Sequence, residues 1–292
     1  MNNVKPFLTY EAQVEKICSN GCEIEDKPFA VYVLSRLNYY RFSAYFLPFK
    51  QSDGFYRKGT TFKKIFRIYE FDRKLRNIIF AAIARTEIYL RTKIAYYHAK
   101  NYGALGYMDS NNFKAHKNYN NLLELIESEK QKNSRILFVR HHVEKYDGNF
   151  PIWVIIELFT FGMLSRFYSV LPTYAQKMLA KELSVATPKI LMSWFRCCTD
   201  LRNICAHHGR LYYRIFSAIP AGLQDLKKTD KQRVFGMLLV LKTLYADKTE
   251  WNKEVYSAIC ALVDEYNNDI DFKHIGFTGN WRKLLVFSMS EN

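Results

Sequence analysis

The chain has 292 residues, 49% of them hydrophobic and 16% aromatic, enough to bury a substantial core in one large or two small domains. Twelve glycines and seven prolines are few for a many-stranded sandwich or barrel and suit long helices with short connections. The formal charge of +15 points to a polyanionic partner, and no apolar run approaches the ~18 residues of a membrane span. The start, Met1 to Pro6, has no apolar secretory core, so a cytoplasmic location is expected. Six cysteines, two of them adjacent (Cys197, Cys198), form no paired framework and are expected to be reduced thiols. Cys18 and Cys22 have the spacing to open a zinc site, but no second close pair of Cys or His follows; helix packing is their expected use, and no metal or cofactor is anticipated.

In chain order, residues 10–20 and 27–47 read as amphipathic helices, the second carrying Phe29, Val33, Leu37 and Tyr40 at helical spacing before Pro48. Residues 50–60, with Asp53-Gly54 and Gly59, read as a turn or small hairpin. From Thr61 to Lys100 runs the longest periodic segment, with Phe62, Ile65, Phe66, Tyr69, Ile79, Ala82, Ile83, Leu90 and Ile94 on one stripe. Residues 57–100 hold twelve Lys or Arg against Glu70, Asp72 and Glu87, with Tyr89, Tyr96 and Tyr97 interleaved. That imbalance is poor for a solvated face and predicts a phosphate-tracking surface with stacking platforms, carried by Lys63, Lys64, Arg67, Arg73, Lys74, Arg76, Arg85 and Lys93. Residues 101–113 read as a loop and 114–146 as two helices, broken by Asp147-Gly148-Asn149. Ile152 to Phe161 reads as a buried core segment, 171–185 as a helix, 230–268 as helical, and the tail from Asp269 as extended or irregular. His116, His141 and His142 have no Cys or carboxylate at ligand spacing and are expected at the surface or on RNA.

The most informative stretch is Asp200 to His208. Thr187-Pro188 is an N-cap signal and Gly209 a stop signal, so a helix over about 188–208 is predicted, with Arg202 and His207 in its last two turns. At about 100° per residue Asp200, Asn203 and His207 share a face, and Arg202, displaced by roughly 140° from His207, must reach around. An arginine and a histidine near a helix end equip a protein to cut RNA without a metal; the competing reading is a structural polar cluster of Asp200, Arg202 and His207. Similar spacings recur in Arg135 with His141 or His142, Arg202 with His208, and Arg91 with His98. Arg91 and His98 lie seven apart and so face one way, with Glu87 four residues before Arg91 to orient it, which makes them the candidate second pair.

Arg202-Asn203 with His207 resembles the Arg-Asn-x-x-x-His signature of HEPN-domain ribonucleases, and the run Leu201 to Tyr212 resembles the Abi-like (AbiD/AbiF) abortive-infection family. Four more stretches agree in family order: Leu37 to Tyr45 with Pro48-Phe49; Tyr69 to Arg76 running on to Glu87–Arg91; Pro151-Ile152-Trp153 through Glu157 to Phe161-Gly162 and Ser165; and Gly276-Phe277 with Asn280-Trp281. Ala44 replaces an expected glycine, and Thr278-Gly279 an expected Pro-Glu. The resemblance implies an all-α, HEPN-like helical bundle; with no repeat or linker in the chain, it reads as one compact unit with a helical N-terminal extension over 1–56, the core over 57–268 and an irregular tail over 269–292. It also implies growth arrest of phage-infected cells and restraint by a small structured non-coding RNA in a toxin-antitoxin arrangement.

RNA supplies its own nucleophile, the 2′-hydroxyl, so cleavage needs a base, an acid and a cation on the phosphorane. His207 is the expected acid or base and Arg202 the bidentate phosphate ligand. Asn203 would orient His207 or contact the ribose, Asp200 would hold Arg202, and His208 is the substitute for His207. Two such helices facing each other, in one chain or a homodimer, would complete the site. The expected activity is a metal-independent endoribonuclease leaving 2′,3′-cyclic phosphate; the alternatives are a non-catalytic RNA-binding module and a sensor of a phage component.

Overall fold

A computed structural model describes residues 6–114, 116–224 and 226–288, with the backbone alone for His116 and Lys117. The described residues are helical with no strand, as composition led us to expect, and two isolated bridges, Glu23 with Thr61 and Lys50 with Tyr56, are the only extended pairing among them. Helix α1 (Tyr10–Ser19) starts at Thr9, whose hydroxyl accepts the Ala12 N–H. The single helix expected over 27–47 is instead three pieces: α2 (Lys27–Arg36), α3 (Tyr39–Ser43) and a 3₁₀ stretch, Ala44–Phe49. The break has a local cause, because Leu37 is extended and the Asn38 side chain accepts the Tyr40 N–H, starting a new helix. Pro48 lies inside the 3₁₀ stretch rather than stopping a helix, and the Lys50–Tyr56 bridge closes the turn that follows.

Helix α4 (Phe62–Tyr102) has 41 residues, about 60 Å. The Thr61 hydroxyl caps the Lys64 N–H, and Gly103, at φ +79, ends the helix. Helices α5 (His116–Lys132) and α6 (Leu137–Lys145) fall where two helices were expected, and Asp147 and Gly148 break the chain at positive φ. The apolar run from Ile152 becomes α7 (Ile152–Ile155) and a 3₁₀ turn, after which the Thr160 hydroxyl caps α8 (Phe161–Val170), a helix the sequence reading missed. Helices α9 (Thr173–Glu182) and α10 (Pro188–Ala206) follow.

The segment expected to be helical over 230–268 is divided into α11 (Lys228–Lys231), α12 (Val234–Leu244), α13 (Lys248–Glu250), a π-helical turn Trp251–Tyr256 and α14 (Ser257–Glu265). Asp247 causes the main break by capping the Glu250 N–H. The tail is more ordered than expected. It holds a 3₁₀ turn, Phe272–His274, and α15 (Trp281–Leu285), pinned where the buried Trp251 indole donates to the Leu285 carbonyl at 2.9 Å.

Helix α4 is the spine of the molecule, packing against α7, α8, α9, α10, α12 and α14. Its stripe of Phe62, Ile65, Ile68, Phe71, Leu75, Ile79, Ile83 and Leu90 is buried among them. Helix α10 lies against α8, α4 and α12 and buries Leu191, Trp194, Phe195, Cys198, Leu201 and Cys205, leaving one edge near its C-terminus for polar groups. No helix among the described residues is long and apolar enough to cross a membrane.

Candidate active site

The Thr187 hydroxyl caps α10 by accepting the Ile190 N–H, and Pro188 takes the first helical position, as predicted. The other end differs by one residue. His207 is the C-cap, with its N–H on the Asn203 carbonyl, and His208, not Gly209, takes the left-handed conformation at φ +55. Gly209 is required for closeness instead of rotation: its N–H donates to the Ile204 carbonyl at 2.7 Å, and a Cβ there would lie 3.0 Å from the Ile204 side chain. A histidine held at positive φ is uncommon, and such conformations concentrate at functional sites.

Asn203, His207 and His208 are exposed, and the Arg202 side chain is 32% exposed. Arg202 Nη1 donates to Asn203 Oδ1 at 3.4 Å, and its Nε lies 4.0 Å from Glu87 on α4. Asp200 does not hold Arg202 as expected; its carboxylate accepts the Ser217 hydroxyl at 3.4 Å, because the Arg202 side chain leaves the helix on the side facing α4. Cys205, inside the motif, is buried, and burial pushes its thiol up to about 12, which removes it as a nucleophile.

The turn after His207 is fixed by a buried carboxylate. Asp72 of α4 is 0% exposed and accepts the Tyr45 hydroxyl at 2.6 Å, Arg76 Nη1 at 3.0 Å, and the backbone N–H groups of Leu211 at 3.0 Å and Tyr212 at 2.6 Å. Burial pushes its pKa up, against the Tyr45 hydrogen bond, the Arg76 charge and the two N–H groups. Arg76 also donates to the Gly209 carbonyl at 3.1 Å, Arg41 of α3 to the His208 carbonyl, and Arg210 to the Ala44 carbonyl. Three stretches far apart in sequence thus meet around residues 208–212. Their positioning role was missed, although one signal was present: Asp72 and Arg76, four residues apart, interrupt the apolar stripe of α4, as a buried ion pair does.

The candidate second pair does not assemble. Arg91 is held by Glu87 at 2.7 Å, by Glu157 at 3.6 Å and by the Phe159 carbonyl. His98 is fully buried between Tyr102, Phe113 and Phe167, with neither ring nitrogen in a hydrogen bond of good geometry. Burial pushes its imidazole down to about 4, against a smaller upward pull from the Gly106 backbone. No RNA can reach it. Arg91 serves instead to hold Glu87, the carboxylate that faces Arg202.

The cations of α4 also stand differently from expectation. Arg67 pairs with Asp269, Arg73 with Glu70, Lys74 with Glu265, Arg85 with Glu250 and Glu254, Lys93 with Glu182, and Arg76 is buried on Asp72. Most of these acids come from later segments that fold back onto α4, so the local charge imbalance is largely neutralised in three dimensions. Of the eight residues expected to contact RNA, Lys63 and Lys64 alone have no carboxylate in salt-bridge range among the described residues. His141 is exposed, and His142 is anchored to the Phe138 carbonyl at 2.8 Å and stacked on Phe150; the His116 side chain lies outside the described residues.

The chain is therefore an all-helical protein whose Arg202–His207 motif runs from the end of α10 onto a turn clamped by the central helix. The family model described as Abi-like protein matches residues 32–213, which takes in every part of that clamp, and the chain belongs to this family, whose members act in abortive infection, a form of phage defence. No curated protein and no solved structure matches the chain.

Proposed function

We propose that the protein is a metal-independent endoribonuclease of the HEPN type that arrests growth of the phage-infected cell. The observation that carries this reading is that the exposed His207 and the half-buried Arg202 stand at the C-terminal end of α10, next to a turn held by Asp72, Arg76 and Arg41. A purely structural polar cluster would need no such accessible pair. His207 takes the 2′-hydroxyl proton or delivers one to the departing 5′-oxygen. Arg202 neutralises the phosphorane formed as the 2′-oxygen bonds to phosphorus and the 5′-oxygen leaves, and Glu87 orients its guanidinium. One chain offers half a site in this scheme, since Arg91 and His98 form no second pair; a second copy facing the first supplies the other half. A small structured non-coding RNA, bound to the folded protein, keeps it inactive until infection.

The test is incubation of labelled RNA with purified protein in excess chelator, with the new 3′ ends identified chemically. Fragments ending in 2′,3′-cyclic phosphate are expected. Absence of cutting by a protein freed of copurifying RNA, with RNA binding intact, would replace this reading by a non-catalytic binding module.

A further inference from the structure

Next to the motif turn lies a cluster of cations of a different kind from those on α4. Tyr213 is held at φ +62 with its N–H on the His274 carbonyl, and its ring remains 38% exposed. Around that ring stand the Arg210 guanidinium at 6.0 Å, the Arg233 guanidinium at 5.9 Å and the His274 ring, edge-on at 4.6 Å. Arg214 Nε donates to the Arg210 carbonyl at 2.7 Å, and Arg233 Nη1 to the His274 carbonyl at 3.2 Å. Lys273 precedes His274 in the chain, and the His274 imidazole is pushed down by burial, pulled up by Asp271, and pushed down further by the charges of Arg233, Arg57 and Lys273.

Neutral carbonyls, of Ala44, Arg210 and His274, hold Arg210, Arg214 and Arg233, so their charge is not cancelled. Among the described residues Arg57, Arg210, Arg214, Arg233 and Lys273 have no carboxylate within salt-bridge range. Of the acids near them, Asp271 lies 4.0 Å from His274 and uses Oδ1 to cap the Lys273 N–H, and the buried Asp72 acts on Arg210 without pairing with it. Cations without a salt-bridge partner beside a half-open aromatic ring in a left-handed backbone form a surface that folding alone does not require.

We propose that Arg210, Arg214 and Arg233, gathered around Tyr213, form with the neighbouring Lys273 and Arg57 the RNA-binding face of the protein. The cations grip phosphates of a single strand, Tyr213 stacks on one of its bases, and the strand continues to Arg202 and His207. Arg210 is three residues from His207, a span of at most about 10 Å, so the two sites lie within a few nucleotides of one another. The assignment rests on the nuclease reading for its direction toward the scissile linkage, but binding tests it separately. It moves the RNA from α4, where charge density along the sequence placed it, to a surface built from several separate segments after α10, with Arg57 more than 150 residues before them.

Binding of a labelled single-stranded RNA is measured by fluorescence anisotropy on the full chain carrying His207→Ala, so that the probe survives. Adding Arg57→Gln, Arg214→Gln and Lys273→Gln together is expected to weaken binding roughly 30-fold at about 0.1 M salt and to lower the log–log salt slope by about 2. Tyr213→Asn, which tolerates positive φ, is expected to weaken binding about tenfold with the slope unchanged. Lys63→Gln with Lys64→Gln should stay within about twofold. Thermal unfolding of each variant establishes that it is folded. The proposal is overturned if the triple variant binds like its parent, if the parent binds no RNA, or if it holds duplex DNA as tightly as single-stranded RNA. Cleavage is scored apart, with His207 restored: binding lost in the triple variant of a protein that never cuts keeps the patch and removes the nuclease, whereas cutting with unchanged binding in the triple variant does the reverse.

Discussion

Asp72→Ala is expected to lower the unfolding free energy by about 3–5 kcal/mol, the cost of leaving a buried charge without its partner. Arg76, whose side chain is 6% exposed, would lose its counter-ion, and the Tyr45 hydroxyl and the Leu211 and Tyr212 N–H groups would lose their acceptor. The carboxylate joins the start of the chain, its central helix and the turn beside the candidate catalytic residues, so the loss is global as well as local. Equilibrium unfolding in urea measures it. Asp72→Leu combined with Arg76→Met should recover part of the stability, because an apolar pair replaces the ion pair while the two N–H groups remain unsatisfied. A loss below about 1 kcal/mol for Asp72→Ala would mean that the clamp is not needed to hold the turn.

The second large effect is on acid stability. His98 titrates at about 4 in the folded protein, from an ordinary value of 6.5, because burial among Tyr102, Phe113 and Phe167 disfavours the imidazolium. Between those two values the unfolded chain holds the extra proton, so falling pH favours unfolding through this window. The depressed value predicts about 3 kcal/mol lost from pH 6.5 to 4 through this one group. His274, also pushed down chiefly by burial, and the carboxylates add their own pH dependence, which is common to the wild type and His98→Leu. The prediction therefore concerns the difference in slope: stability of the wild type should fall more steeply with acid than that of His98→Leu. Parallel curves would contradict the buried, neutral state of His98.

Elements with a cap and a long period were legible in the sequence, and those set by distant partners were not. Helix α4 could be read from Thr61 and its apolar stripe, and α10 from Thr187-Pro188. Helix α8 was hidden because the apolar run from Ile152 continues through Phe161 and masks the start of a new element, and the capping role of Thr160 shows only once the chain turns there. The breaks at Asn38 and Asp247 depend on single side chains that cap a new helix, within windows whose periodicity continues on both sides. At the candidate site Arg202, Asn203 and His207 could be named from their spacing, whereas Glu87, the carboxylate that faces Arg202, is 115 residues away and was assigned to Arg91 alone. The charge of α4 was misjudged for the same physical reason. A local count omits Glu182, Glu250, Glu254, Glu265 and Asp269, which folding brings onto the helix.

The most direct measurement of the central claim is the single-turnover rate of RNA cleavage in chelator for the wild type, Arg202→Ala and His207→Ala, with RNA affinity measured on the same samples. Loss of the acid-base group is expected to slow cutting by about 10²–10⁴-fold and loss of the guanidinium by about 10²–10³-fold, with both variants still binding RNA. Cutting by either variant at the wild-type rate would contradict the assignment of Arg202 and His207 as the residues that act on the phosphodiester.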